Sequence, residues 1–157
     1  MSITASIANP ADALRQLDAL LDLTNVRVKL ADVEEGEGMT ADELDLAEQE
    51  YRRFLALHWA FPEADIVPCK LVDEVWHQHI LDTQAYHADC DVIFGDYLHH
   101  FPYFGMRGDD DVRALGDAYR ETLTMYRDAF GEPPNSTWIA SDASRCTRTA
   151  CKPQKCR

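Results

Sequence analysis

Residues 68–95, PCKLVDEVWHQHILDTQAYHADCDVIFG, decide the fold. Pro68 suits a first helical position, because its ring presets φ and its missing N–H would have no helical partner there. Leu71, Val72, Val75, Trp76 and Ile80 then recur at helical spacing and share a face. Asp82 is a capping residue in the middle of this pattern, so the spacing predicts a break or tight kink there. A further helix runs from Thr83 to Phe94 and stops at Gly95.

Outward from this pair the same signals repeat. Asn9 and Pro10 read as cap and first residue of a helix over 10–22, with Leu14, Leu17, Leu20 and Leu21 apolar. Residues 25–30 alternate Val26 and Val28 with Arg27 and Lys29, which suggests a short extended segment before an exposed loop at 34–38. Thr40 and Glu43 form a capping box ahead of a helix of about 20 residues ending at Pro62. His58, beside its apolar face, reads as a core-edge or surface residue rather than a ligand. The aromatic segment His99–Gly108 reads as an ordered loop, and Asp109 to Asp111 open a last helix that Gly131 closes. The expectation is an all-α fold: a single compact domain of about five helices over 1–132. An irregular, basic, Cys-containing tail follows over 133–157.

A chain of 157 residues is long enough to bury a core without disulfide or metal support. The net charge of −13 is unevenly placed: the last thirteen residues hold five basic side chains and no acid, leaving −18 on the rest. Such a body repels nucleic acid and anionic membrane, so neither is expected as a partner. The tail is expected to dock on its own acidic body or on a separate acidic protein partner. With no apolar run of the roughly 18 residues a span requires, and no signal-like start, a cytoplasmic location is the expectation. In a reducing compartment the five cysteines are free thiols or metal ligands sooner than disulfides.

Chemistry concentrates in Asp73–Cys90, whose eighteen residues hold three of the six histidines, four carboxylates and a cysteine. Imidazole and thiolate suit borderline and soft metals, and carboxylates serve as ligands or orient them. Asp73 and His77 are four apart and share a helical face; Tyr86 and Cys90 do the same, and His87 lies three before Cys90. His77 and His79, two apart, point to nearly opposite sides unless the helix end relaxes them. The candidate metal ligands are Asp73, His77, His79, His87, Cys90 and His100, with Cys146, Cys151 and Cys156 as possible tail ligands. Buried, hydrogen-bonded histidines with Cys90 as a small hydrophobe account for the same residues structurally.

WHQHIL at 76–81, YHADC at 86–90 and the Phe94–Gly95 pair resemble the WHxHxL…YxxDC…FG signature of the glycine-rich domain-containing protein-like family. The likeness attaches to Trp76, His77, His79, Tyr86, Asp89, Cys90 and Gly95. Plant members commonly have a proline after the position of Asp82, which implies the same kink. This chain has seven glycines and no glycine-rich domain, so the longer relatives' regulatory and RNA-related associations do not transfer. The resemblance implies a shared site and brings no activity with it.

Three functions compete. The first is a small metal-binding protein holding zinc, iron or copper in the His/Cys/Asp cluster, which the tail cysteines could complete. The second is a non-catalytic interaction or carrier module presenting the basic Cys-rich tail to a partner or modifying enzyme. An enzyme ranks third, with His77 as base, Asp73 orienting it and Cys90 as nucleophile. Cys90 on an apolar face should have a raised pKa, which argues against that role.

Overall fold

The computed structural model describes residues 9–134 together with Thr137 and Trp138. Six helices and no strand occur among the described residues: α1 (Pro10–Leu20), α2 (Thr24–Ala31), α3 (Ala41–Ala60), α4 (Lys70–Leu81), α5 (Thr83–Ile93) and α6 (Asp109–Phe130). None is long and apolar enough to cross a membrane.

Most boundaries follow from local chemistry. Asn9 accepts from the Asp12 amide at 2.9 Å, and the Thr40–Glu43 capping box closes in both directions. Asp82 ends α4 and caps α5, its φ of −81° and ψ of 73° forming the kink and its carboxylate accepting from the Ala85 amide. Gly131, at φ 83°, closes α6 in a conformation that side chains with a Cβ avoid.

Among the described residues six helices stand where about five were expected, α1 ends at Leu20 rather than 22 and α5 at Ile93 rather than Phe94, and two larger differences have a physical reason. Residues 24–31 are helical, not extended: Val26 and Leu30, four apart, are buried together, whereas Val28 is 67% exposed. Arg27 holds this turn on α3 through Glu48 and Asp45, each at 2.7 Å. The helix expected from Pro68 starts at Lys70, with Cys69 as its cap. Val67 donates its amide to Thr122 Oγ1 on α6 at 3.0 Å, which holds the approach to α4 extended.

α3 is the centre of the fold, packed against α1, α2, α4 and α6. Its Tyr51, Phe54, Leu55 and Leu57 are essentially inaccessible, as is Glu50. A fully buried carboxylate is stable only when its lone pairs are satisfied. Glu50 accepts from Tyr126 at 2.7 Å, from Trp138 Nε1 at 2.8 Å and from Arg53 at 3.0 Å, joining α3, α6 and the segment beyond α6. The tail cysteines Cys146, Cys151 and Cys156 lie outside the described residues.

Candidate metal centre

The kink at Asp82 turns α5 back across α4, and the chain after Gly95 then crosses the α4 face that carries Asp73 and His77. Asp73, buried to 2% exposure, and His77 are one turn apart, with Oδ2 of the former 3.5 Å from Nδ1 of the latter. His100 arrives from the aromatic segment. Its Nε2 lies 2.9 Å from Asp73 Oδ1 and 3.0 Å from His77 Nε2. One ligand-type atom from each of the three lies within 4.8 Å of the others.

The position of His100 is fixed by residues that take no part in the cluster. Trp76 Nε1 donates to the Tyr86 hydroxyl at 2.9 Å, and that hydroxyl donates to the Leu98 carbonyl at 2.5 Å, two residues before His100. The His100 ring packs on Trp76 with centroids 4.4 Å apart.

The polar atoms of this cluster are not balanced among themselves. His100 Nε2 carries at most one hydrogen yet faces a carboxylate and a second imidazole nitrogen. Among the described residues, Asp73 Oδ2 is buried and has no hydrogen-bond partner. Among the described residues, Asp73 is paired with His77 and His100 and with no lysine or arginine. Burial holds the His77 pKa below its usual value, against the opposing pull of Asp73, so that imidazole brings little positive charge near neutrality. A buried carboxylate with no lysine or arginine beside it among the described residues favours a cation as partner. A tetrahedral ion with bonds of about 2.0–2.1 Å holds neighbouring ligands about 3.3 Å apart. The contacts of 2.9 and 3.0 Å reach that spacing by a few tenths of outward movement.

The other sequence candidates lie elsewhere. His79, two after His77, points to the opposite side and sits between Tyr51 and Asp89: Nδ1 is 2.7 Å from the tyrosine hydroxyl and Nε2 is 2.8 Å from the carboxylate. With Nε2–H donating to Asp89, Nδ1 accepts from Tyr51, so both nitrogens are used structurally. His87 is exposed beside Asp91, at 3.4 Å. Cys90 is buried at 2% exposure on the face it shares with Tyr86 and Ile93. Burial raises its thiol pKa, so it is neither a ready thiolate ligand nor an activated nucleophile. His77 and His100 are thus brought together with Asp73, and His79, His87 and Cys90 are not.

A cavity of about 190 Å³ adjoins the cluster. Asp73 and His100 line it, with Trp76, Ile66, Val67, Phe101, Phe104, Leu115 and, from the end of α3, His58. His58 packs edge-on against Phe54 with centroids 4.7 Å apart, at the core edge where the sequence places it. No sequence signal joins it to the site, because the walls come from four separated stretches.

Residues 24–121 match the family model described as UCP032817-like, an uncharacterised family. The match spans well over half of the chain and includes Asp73, His77 and His100 as well as His58, and the chain belongs to this family. It does not bear on the resemblance to the glycine-rich domain-containing protein-like family. No curated protein and no solved structure matches the chain.

Proposed function

We propose that this UCP032817-like protein is a metal-binding protein in which Asp73, His77 and His100 hold one divalent transition-metal ion. The convergence of the two Nε2 atoms with the buried, otherwise cation-less Asp73 carboxylate carries the reading. A donor set of two imidazoles and one carboxylate suits zinc or ferrous iron. With no sulfur in the cluster, the ligand chemistry that favours copper(I) is missing. Three protein ligands leave coordination positions for water, for a small molecule, or for a thiolate from Cys146, Cys151 or Cys156. Bound there, the ion would supply Lewis acidity at the wall of the cavity.

In this reading His77 and His100 bind through Nε2, while Asp73 supplies the charge. Trp76 and Tyr86 position His100 by holding the Leu98 carbonyl. The test is calorimetric titration of metal-stripped, untagged protein with zinc and with ferrous ion, accompanied by elemental analysis of protein as purified. His77→Ala and His100→Ala are each expected to weaken binding by at least about tenfold. His87→Ala and Cys90→Ser leave it unchanged. The triple serine variant of the tail cysteines reports whether a thiolate contributes. Absence of stoichiometric binding by the wild type, or equal binding by His77→Ala and His100→Ala, overturns the proposal.

A further inference from the structure

Asp73, His77 and His100 give a tetrahedral ion three of its four ligands. The side from which a fourth can arrive follows from exposure: Asp73 and His100 are covered, with 3% and 12% of their side chains exposed, whereas His77 shows 37%. The cluster therefore meets solvent at His77. Charge is left over as well, because a divalent ion on one carboxylate and two metal-bound imidazoles keeps one positive charge. A single thiolate closes the shell and neutralises the site.

The stretch that carries His77 has no strong cation of its own. Residues 71–106 contain Asp73, Glu74, Asp82, Asp89, Asp91 and Asp96 and neither lysine nor arginine. Among the described residues, every lysine and arginine is already paired with a carboxylate. Residues 145–157, which lie outside the described residues, are the complement: five basic side chains, no acid and three cysteines. Opposite charge brings such a segment to the acidic surface and suppresses other placements, and a donor tethered to the same chain competes at roughly millimolar effective concentration.

Chain length selects among the thiols. Trp138 is fully buried and held by Glu50, one helical turn before Phe54; the Phe54 ring lies 5.0 Å from Trp76, and Trp76 lies 4.4 Å from His100. That path of contacts is no longer than roughly 35 Å. Cys146, eight positions beyond Trp138, extends to at most about 28 Å, and Cys151, thirteen beyond it, to about 45 Å. A chain passing over the surface needs more than the direct path, so Cys151 has the slack and Cys146 does not. Cys151 also has Arg145 and Arg148 on one side and Lys152, Lys155 and Arg157 on the other, whereas Cys156 has a single cation beyond it.

We propose that residues 145–157 dock on the acidic surface formed by residues 71–106 and that Cys151 supplies the fourth ligand of the ion, giving a shell of two imidazoles, one carboxylate and one thiolate. The inference rests on the metal reading. The Cys151 S–H bond breaks as the sulfur–metal bond forms, and the proton leaves to solvent. While the tail is docked the shell is closed and no position is left for a substrate.

The experiment titrates the whole metal-stripped chain, kept reduced by a phosphine, with cobalt(II), and follows the thiolate-to-cobalt charge-transfer absorption, which reports sulfur ligation. Wild type is expected to bind one equivalent and to show the band. Cys151→Ser loses the band and binds cobalt at least about tenfold more weakly, whereas Cys146→Ser and Cys156→Ser keep both. His77→Ala loses the band too, which separates the joint site from capture by the tail cysteines alone; if that variant does not fold, wild type against Cys151→Ser still decides. Glutamine at all five basic positions of 145–157 keeps every thiol and is expected to weaken cobalt binding about as much as Cys151→Ser. Wild type that binds no cobalt overturns the metal reading and the docking with it, and one equivalent bound through His77 and His100 without the band overturns the docking alone. The docking also falls if the band persists in Cys151→Ser or in folded His77→Ala, or if the glutamine variant binds cobalt as tightly as wild type.

Discussion

Replacing Asp73 by asparagine should reverse the order of stability of wild type and variant according to whether metal is present. Asp73 is 2% exposed, one of its oxygens has no hydrogen bond among the described residues, and the charge it buries faces imidazoles rather than a lysine or arginine. Asparagine preserves the shape. Its Oδ1 can still accept from His100 Nε2, and its amide occupies the place of Oδ2, 3.5 Å from His77 Nδ1. Relieving a buried, half-satisfied carboxylate is worth roughly 1–3 kcal/mol. Stripped of metal, Asp73→Asn should therefore be the more stable protein, by roughly 4–8 °C in Tm for a change of about 2 kcal/mol. With metal at about 100 times its Kd the wild type gains about 2.7 kcal/mol by mass action, and the variant, lacking the only anionic ligand of the three, gains far less. Urea unfolding in chelator and in excess zinc, followed by circular dichroism, measures all four free energies. A stripped variant less stable than stripped wild type, or a metal-induced gain as large in the variant, refutes the reasoning.

Two further outcomes separate the structural histidines from the cluster. His79→Ala leaves the Tyr51 hydroxyl and the Asp89 carboxylate without their shared partner and should cost roughly 3 kcal/mol in denaturant unfolding; the folded fraction should bind metal as wild type does, and loss of metal by a folded His79→Ala protein would place His79 in the site after all. The acid sensitivity of the metal-free protein should depend on His58, whose pKa falls from 6.5 unfolded to about 4 folded because of burial. Here the unfolded chain takes up the proton first, so the stability is fully present above the unfolded value and is lost as pH falls toward the folded one. The His58 share of that loss is roughly 2 kcal/mol between about pH 7.5 and about pH 5. His58→Phe should therefore show a shallower decline over that range in unfolding curves, and identical slopes for the two proteins would count against a neutral buried His58.

The elements legible in the sequence are those whose ends are set by their own residues. Asn9, the Thr40–Glu43 pair, Asp82, Gly95 and Gly131 each satisfy or terminate a helix through contacts at most four residues away, and all five act where the spacing places them. α2 is different, because Val26 and Val28 alternate in sequence although the face that matters is Val26 with Leu30. What selects helix there is the burial of that pair and the hold of Glu48 and Asp45 on Arg27, both supplied by tertiary contacts. The start of α4 is displaced for a similar reason, the bond from Val67 to Thr122. In the candidate site, Asp73 with His77 follows from four-residue spacing, while His100 comes from 23 residues beyond His77. The cavity has no local signature at all, since His58, Asp73, His100 and Leu115 stand on four different stretches.

The density of ligand-type residues in WHQHIL and YHADC reflects two tasks on opposite sides of one helix. Because residues two apart diverge, His77 can face the cluster only if His79 faces inward, and an inward histidine requires buried partners, which Tyr51 and Asp89 supply. Tyr86 and Cys90, four apart, share a face, so the same turn that buries Tyr86 removes Cys90 from any metal reached from the other side. Tyr86 in turn bonds Trp76 and the Leu98 carbonyl, and through that carbonyl it fixes where the backbone delivers His100. The inward half of the motif is thus the support of the outward half: it locks α4 to α5 and to the segment that follows, leaving Asp73, His77 and His100 facing one another with an Asp73 oxygen that no hydrogen bond among the described residues satisfies.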